Sequence, residues 1–145
     1  MKLPQFTLKN QDGAEVDSHS YLGHPLVVFF YPKDDTPGCT AQACSFRDNL
    51  KDFEQLEATV IGISADSVSS HKKYAEKYQL QFTLLSDKGN RVRKLFGVPT
   101  SLMGLIPGRV TYVFNAHGNL IHTFNSQLGV KKHVEVALAA LAVSE

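Results

Sequence analysis

Residues 26–31, Leu-Val-Val-Phe-Phe-Tyr, form an unbroken branched and aromatic run closed by Pro32. That is the pattern of a strand buried on both faces of a parallel sheet. From Cys39 onward apolar residues fall at Ala43, Phe46, Leu50, Phe53 and Leu56, three or four apart, which predicts one amphipathic helix over 39–57. A second continuous run at 59–64 predicts another buried strand and completes a βαβ unit, expected to be right-handed. A helix over 68–78 follows behind Ser67 as N-cap, then a strand over 82–85 and a short helix over 91–96. Residues 109–114 read as a strand, 115–119 as a turn and 120–124 as the antiparallel return. A closing helix over 131–142 carries Val134, Leu138 and Leu141 on one stripe, and short strands at 6–8 and 14–16 flank a turn at 10–13 near the N-terminus.

Parallel units followed by a hairpin and a closing helix describe an α/β protein with a thioredoxin-like fold: a mixed central sheet, helices on both faces and an added N-terminal β segment. Ligands of such sheets bind at the carboxyl ends of the strands, where the Cys39 segment begins. The irregular stretch 97–108 is read as a packed surface loop, with a lid as the other reading. With 145 residues, 43% of them hydrophobic, the chain is expected to be a single domain over 1–145. Fifteen basic against fourteen acidic residues leave a net charge of +1, which speaks against nucleic acid and an anionic membrane as partners. The N-terminus lacks the apolar core of a secretory signal, so the expected location is cytoplasmic, or organellar or periplasmic if a targeting peptide has been removed.

Two cysteines, Cys39 and Cys44, are too few for a structural disulfide framework in a chain of this size, and the Cys-x-x-Cys spacing is absent. Six histidines are scattered without metal-ligand spacing, so no metal is expected, and Phe29, Phe30, Tyr31, Phe46 and Phe82 read as core or pocket wall and not as a platform for an organic cofactor. Cys39 falls in the first turn of the 39–57 helix, where unpaired amides and the positive end of the macrodipole favour an anion. Thr36 offers a hydroxyl that both donates and accepts, and Pro32 and Pro37 restrict the backbone around it. Lys33, Asp34 and Asp35 read as a solvated turn, and Arg47 with Asp48 as a surface or supporting pair.

Pro32, Thr36 and Cys39 match the Pro-x-x-x-Thr-x-x-Cys signature, and the run from Phe30 to Asp48 resembles the bacterioferritin comigratory protein, or peroxiredoxin Q, branch of the peroxiredoxins. The segments 60–64, 82–87 and 107–113 are similar to it as well. The resemblance implies a thiol peroxidase that reduces hydroperoxides, probed by Cys39 as peroxidatic and Cys44 as resolving cysteine, with Arg109 beside the thiolate. It also implies thioredoxin or a glutaredoxin as reductant and a monomeric molecule. In an intact helix, residues five apart have α-carbons roughly 8 to 9 Å apart, beyond the roughly 7 Å that a disulfide tolerates, so a bond between Cys39 and Cys44 would require unwinding. Two other readings stay open on the residues alone: thiol–disulfide exchange on proteins, and a non-enzymatic redox sensor.

Overall fold

In the computed structural model, which describes residues 1–98, 100–101 and 106–143, the unbroken apolar runs become the middle of a sheet. The strands are β1 (Thr7–Asn10), β2 (Glu15–Asp17), β3 (Leu26–Phe30), β4 (Thr59–Ser64), β5 (Thr83–Ser86), β6 (Thr100–Ser101), β7 (Ile106–Pro107), β8 (Val110–Phe114) and β9 (Leu120–Asn125). The helices are α1 (Pro37–Asp48), α2 (Leu50–Gln55), α3 (Val68–Tyr78), α4 (Arg91–Phe96) and α5 (Val130–Val143). Seven strands pair in the order β2-β1-β5-β4-β3-β8-β9, and β6 pairs with β7 separately. β3, β4 and β5 run parallel, whereas β8 is antiparallel to β3 and to β9. This is the mixed, thioredoxin-like sheet that the element order predicts.

Alternation along the strands divides the interior into two layers. Val27 and Phe29 of β3, Val60, Leu84 and Val113 point to one side, where they meet α1, α2, α3 and α5. Val28 and Phe30, Ile61, Ile63, Leu85 and Tyr112 point to the other, covered by α4 and by Leu3 and Phe6 of the N-terminal segment. Gly62 has a local reason: a Cβ there would lie 2.7 Å from Phe29 Cζ and 3.1 Å from Leu84 Cδ2. Its absence lets the Phe29 ring lie over β4 and stack on Phe46 of α1, with centroids 4.4 Å apart and planes 11° from parallel.

The single helix expected over 39–57 is two helices. Asn49 donates its side-chain amide to Ser45 O at 2.8 Å and takes φ −107°, ψ 11°, so a short polar side chain competes with the helix ladder and ends α1 there. The apolar spacing runs on through Phe53 because α2 resumes on the same side of the sheet. β1, β2 and β5 each begin one residue later than the pattern predicts, leaving Phe6 and Phe82 as core residues just outside their strands. Ser67 caps α3 as expected, its hydroxyl accepting from Ser70 N–H. Part of the stretch 97–108, read as a surface loop or a lid, lies outside the described residues.

Candidate active site

α1 starts where β3 ends, because Pro37 at the first helical position supplies a fixed φ and has no N–H to leave unpaired. Thr36 is the N-cap residue in extended conformation, and its carbonyl accepts the first helical bond from Thr40 N–H at 2.8 Å. Its hydroxyl does not cap the helix; it donates to Lys33 O at 2.9 Å, which commits the proton and leaves the oxygen's lone pairs open. Gly38 and Cys39 therefore bring the orphan amides of the first turn. Cys39 is 2% exposed and packs in the core layer with Tyr31, Ala43 and Tyr74. Pro32 is half-buried at the end of β3.

Arg109, one residue ahead of β8, reaches the same place from the strand next to β3. Its Nη2 lies 3.1 Å from where a Cβ on Gly38 would stand, its Nη1 donates to Gln42 Oε1 at 2.6 Å, and its Nε donates to Gln127 O at 3.2 Å. The guanidinium thus lies along the first turn of α1, between Gly38 and Gln42, with Cys39 inside that span. A second arginine, which the sequence reading did not single out, closes the other side. Arg93 of α4 donates to Gly108 O at 2.7 Å and to Tyr31 O at 3.0 Å, and stands 5.5 Å over the Phe30 ring. Burial pushes Arg93 down from its usual pKa, while the charges of Asp87, Tyr112 and Cys39 pull it back. Both arginines are about 95% buried, at 4% and 5% exposure, and neither forms an ion pair among the described residues. Two buried cations partnered by carbonyls and an amide leave an electropositive pocket at the head of α1, suited to an anion.

Gln42, also missed from sequence, is fully buried one turn beyond Cys39. Its oxygen is taken by Arg109, and its Nε2 has no hydrogen-bond partner among the described residues. Only a helical register of three from Cys39 could have marked it. Lys33 and Asp35 are exposed, as the solvated-turn reading expects, but Asp34 is a correction: it is 6% exposed. Its carboxylate accepts from Tyr31 Oη at 2.6 Å and from Ser70 Oγ at 2.8 Å, and lies 2.7 Å from His71 Nδ1. Its N–H donates to Asp66 Oδ2 at 2.8 Å. Burial, then the Asp34 charge, holds the Tyr31 phenol well above its ordinary pKa. The turn folds inward because the ends of β3 and β4 present polar partners there. Asp34, Asp66 and His71 bring ligand-type atoms within 4.8 Å of one another, but those atoms are engaged by Tyr31, Ser70, Ser64 and Leu85 O, so the group is a hydrogen-bond network tying the site loop to α3.

Cys44 sits half-buried on the same helix, free like Cys39, and opens into a cleft of about 410 Å³ lined by Ala41, Asp48, Asn49 and Lys131. α1 is continuous through both cysteines. The structure therefore places Thr36, Cys39 and Arg109 at the head of α1, with Pro32 just past the end of β3, and leaves Cys44 more than a turn away.

Residues 1–123 match the AhpC/TSA family. The chain belongs to that family. It is 51% identical over 138 residues, 95% of its length, to a chloroplastic peroxiredoxin Q from Gentiana triflora, of which it covers 64%. The chain thus spans about two thirds, or slightly less, of the length of that AhpC/TSA relative. Among solved structures of the family it superposes on the crystal structure of peroxidoxin BcpB from Mycobacterium tuberculosis with a TM-score of 0.92 and 34% identity, covering 100% of this chain and 96% of that one. The bacterioferritin comigratory protein of Xanthomonas campestris, described for alkyl peroxide reduction with a trapped intermediate, gives a TM-score of 0.86 at 30% identity over 94% of this chain and 90% of that one. The resemblance read from the signature at Pro32, Thr36 and Cys39 is thereby a family relationship that extends over most of the chain.

Proposed function

We propose that the protein is a thiol-dependent peroxidase acting on hydrogen peroxide and organic hydroperoxides. The observation that carries the reading is the pair of buried arginines, Arg109 and Arg93, neither ion-paired among the described residues, around a buried Cys39 at a helix start. The Cys39 thiolate attacks the outer peroxide oxygen; an S–O bond forms, the O–O bond breaks, and the departing oxygen leaves as water or alcohol after taking a proton. Negative charge moves onto the peroxide oxygens in that transition state, so the fixed guanidinium of Arg109 and the first-turn amides stabilise it more than the ground state. Thr36, its own proton held by Lys33 O, can accept the hydroperoxide's O–H and orient it. Pro32 walls the site.

The Cys39 sulfenic acid then condenses with the Cys44 thiol, forming S–S and releasing water. Because both lie on intact α1, the first turns must unwind for the sulfurs to meet. An external dithiol of the thioredoxin or glutaredoxin type reduces the disulfide, and one copy of the chain carries the whole cycle. The name of the Gentiana relative assigns that protein to the chloroplast, which supports the organellar alternative over the cytoplasmic location expected from the N-terminal sequence. Burial of Cys39 at 2% exposure disfavours direct exchange with a protein disulfide, which could not reach the sulfur.

The test is single-turnover oxidation with mass spectrometry. Native protein is expected to consume one peroxide per chain and acquire a Cys39–Cys44 crosslink; Cys44→Ser should stop at the sulfenic acid and proceed to sulfinic acid with excess peroxide, and Cys39→Ser should do neither. Peroxide consumption by Cys39→Ser at the native rate overturns the assignment.

A further inference from the structure

The segment that must unwind is tied at both ends to one residue of α3. Ahead of Cys39, Asp35 takes φ +57°, a left-handed conformation uncommon for a residue other than glycine. It is held there by Tyr78, whose hydroxyl donates to Asp35 Oδ1 at 2.7 Å, and by Lys77, whose Nζ donates to Oδ2 at 2.9 Å. Behind Cys44, Arg47 donates from Nη1 to the backbone carbonyl of Tyr78 at 2.7 Å, with its other nitrogens on Asp48. Tyr78 therefore uses its hydroxyl on one side of residues 36–46 and its carbonyl on the other. Its ring is anchored edge-to-face on Tyr74, centroids 5.4 Å apart, and Tyr74 packs in the same layer as Cys39. α3 itself is fixed beneath by His71, between Asp34 and Leu85 O.

We propose that Tyr78 is a positioning residue for the second chemical step: by holding both ends of 36–46 it sets how fast Cys44 reaches oxidised Cys39. The inference rests on the peroxidase reading and specifies how that site is regulated. The Tyr78–Asp35 bond holds the residue just ahead of α1, so it restrains movement of the helix head without touching the sulfur or the peroxide. The waiting time of the sulfenic acid decides its fate. A second equivalent of hydroperoxide can transfer another oxygen to the same sulfur, giving sulfinic acid and a second alcohol or water, before the Cys44 thiol displaces water from it. A tight tie lengthens that interval; a loose one shortens it.

Tyr78→Phe keeps the ring and removes only the hydroxyl. The expected result is a peroxide-dependent Cys39 oxidation rate within about two-fold of native and a peroxide-independent disulfide step about five-fold faster, the scale of one net hydrogen bond. The sulfinic fraction at fixed excess peroxide should fall in parallel. In reduced protein without peroxide, amide exchange should rise at 36–40 in Tyr78→Phe and at 43–47 in Arg47→Met, with β3 and β4 as protected as in native protein. Native exchange at 36–40 with an unchanged disulfide rate overturns the proposal, as does a rise spread evenly through β3 and β4. If native Cys39 shows no peroxide-dependent oxidation at all, the peroxidase reading fails instead, and the exchange data alone judge the tie.

Discussion

At the scale of single residues, Gly38 matters as much as the cysteine that follows it. A Cβ at Gly38 would stand 3.1 Å from Arg109 Nη2, closer than an ordinary contact, and the guanidinium has little freedom to give way because its Nη1 and Nε are pinned by Gln42 and Gln127 O. Gly38→Ala should therefore displace the guanidinium while improving helix propensity. We expect kcat/KM with peroxide to fall about ten-fold, with stability unchanged or raised by up to about 1 kcal/mol. Steady-state kinetics beside a denaturation curve checks both at once, and a stability loss matching the activity loss would refute the argument. Cys39, Thr36 and Pro32 were legible because their spacing lies within one short stretch. Arg93, Gln42 and Asp34 were not, since their roles arise where α4, α1 and the β3 turn meet.

Among the elements, α1 is coupled to the sheet through Phe46, which stacks on Phe29, which in turn occupies the space left by Gly62 of β4. Gly62→Ala places a Cβ 2.7 Å from Phe29 Cζ, inside a layer with no room to yield. It should cost about 1–3 kcal/mol, read as a lowered denaturant midpoint with an unchanged slope. The helix boundary at Asn49 was not legible from periodicity because apolar spacing continues across it. A local side-chain hydrogen bond decided the break. By contrast Ser67, a hydroxyl directly ahead of an amphipathic run, announced the start of α3.

For the whole molecule, α5 is held to the hairpin by a buried histidine. His133 Nε2 donates to Ser126 O at 2.8 Å, and Nδ1 lies 2.7 Å from Thr111 Oγ1, so the ring is the neutral tautomer accepting from the hydroxyl. Burial lowers the His133 pKa below its ordinary value of 6.5, with the Arg109 charge acting in the same direction and the Ser126 bond opposing. The folded state therefore binds fewer protons at this group than the unfolded state. Its contribution to stability is complete above the unfolded pKa and is lost as pH falls through that value toward the folded one. Unfolding free energy measured from about pH 7.5 down to about pH 5, a range that spans the ordinary histidine pKa, should decline. His133→Gln should flatten that decline, and an identical slope in the variant would refute the linkage.

Hydrophobic runs and helical spacing in the sequence determined the order of elements and the placement of the Cys39 thiol at a helix start, because these follow from contacts only a few residues apart, and that order in turn predicts the mixed sheet although its pairings are long-range. The charge around that thiol was decided by the tertiary structure. Arg109 and Arg93 approach it from β8 and α4, 70 and 54 residues away in sequence (109 − 39 and 93 − 39), and no local pattern records where a distant guanidinium comes to rest. The same holds for Tyr78, whose grip on Asp35 and Arg47 exists only once α3 has packed beside α1.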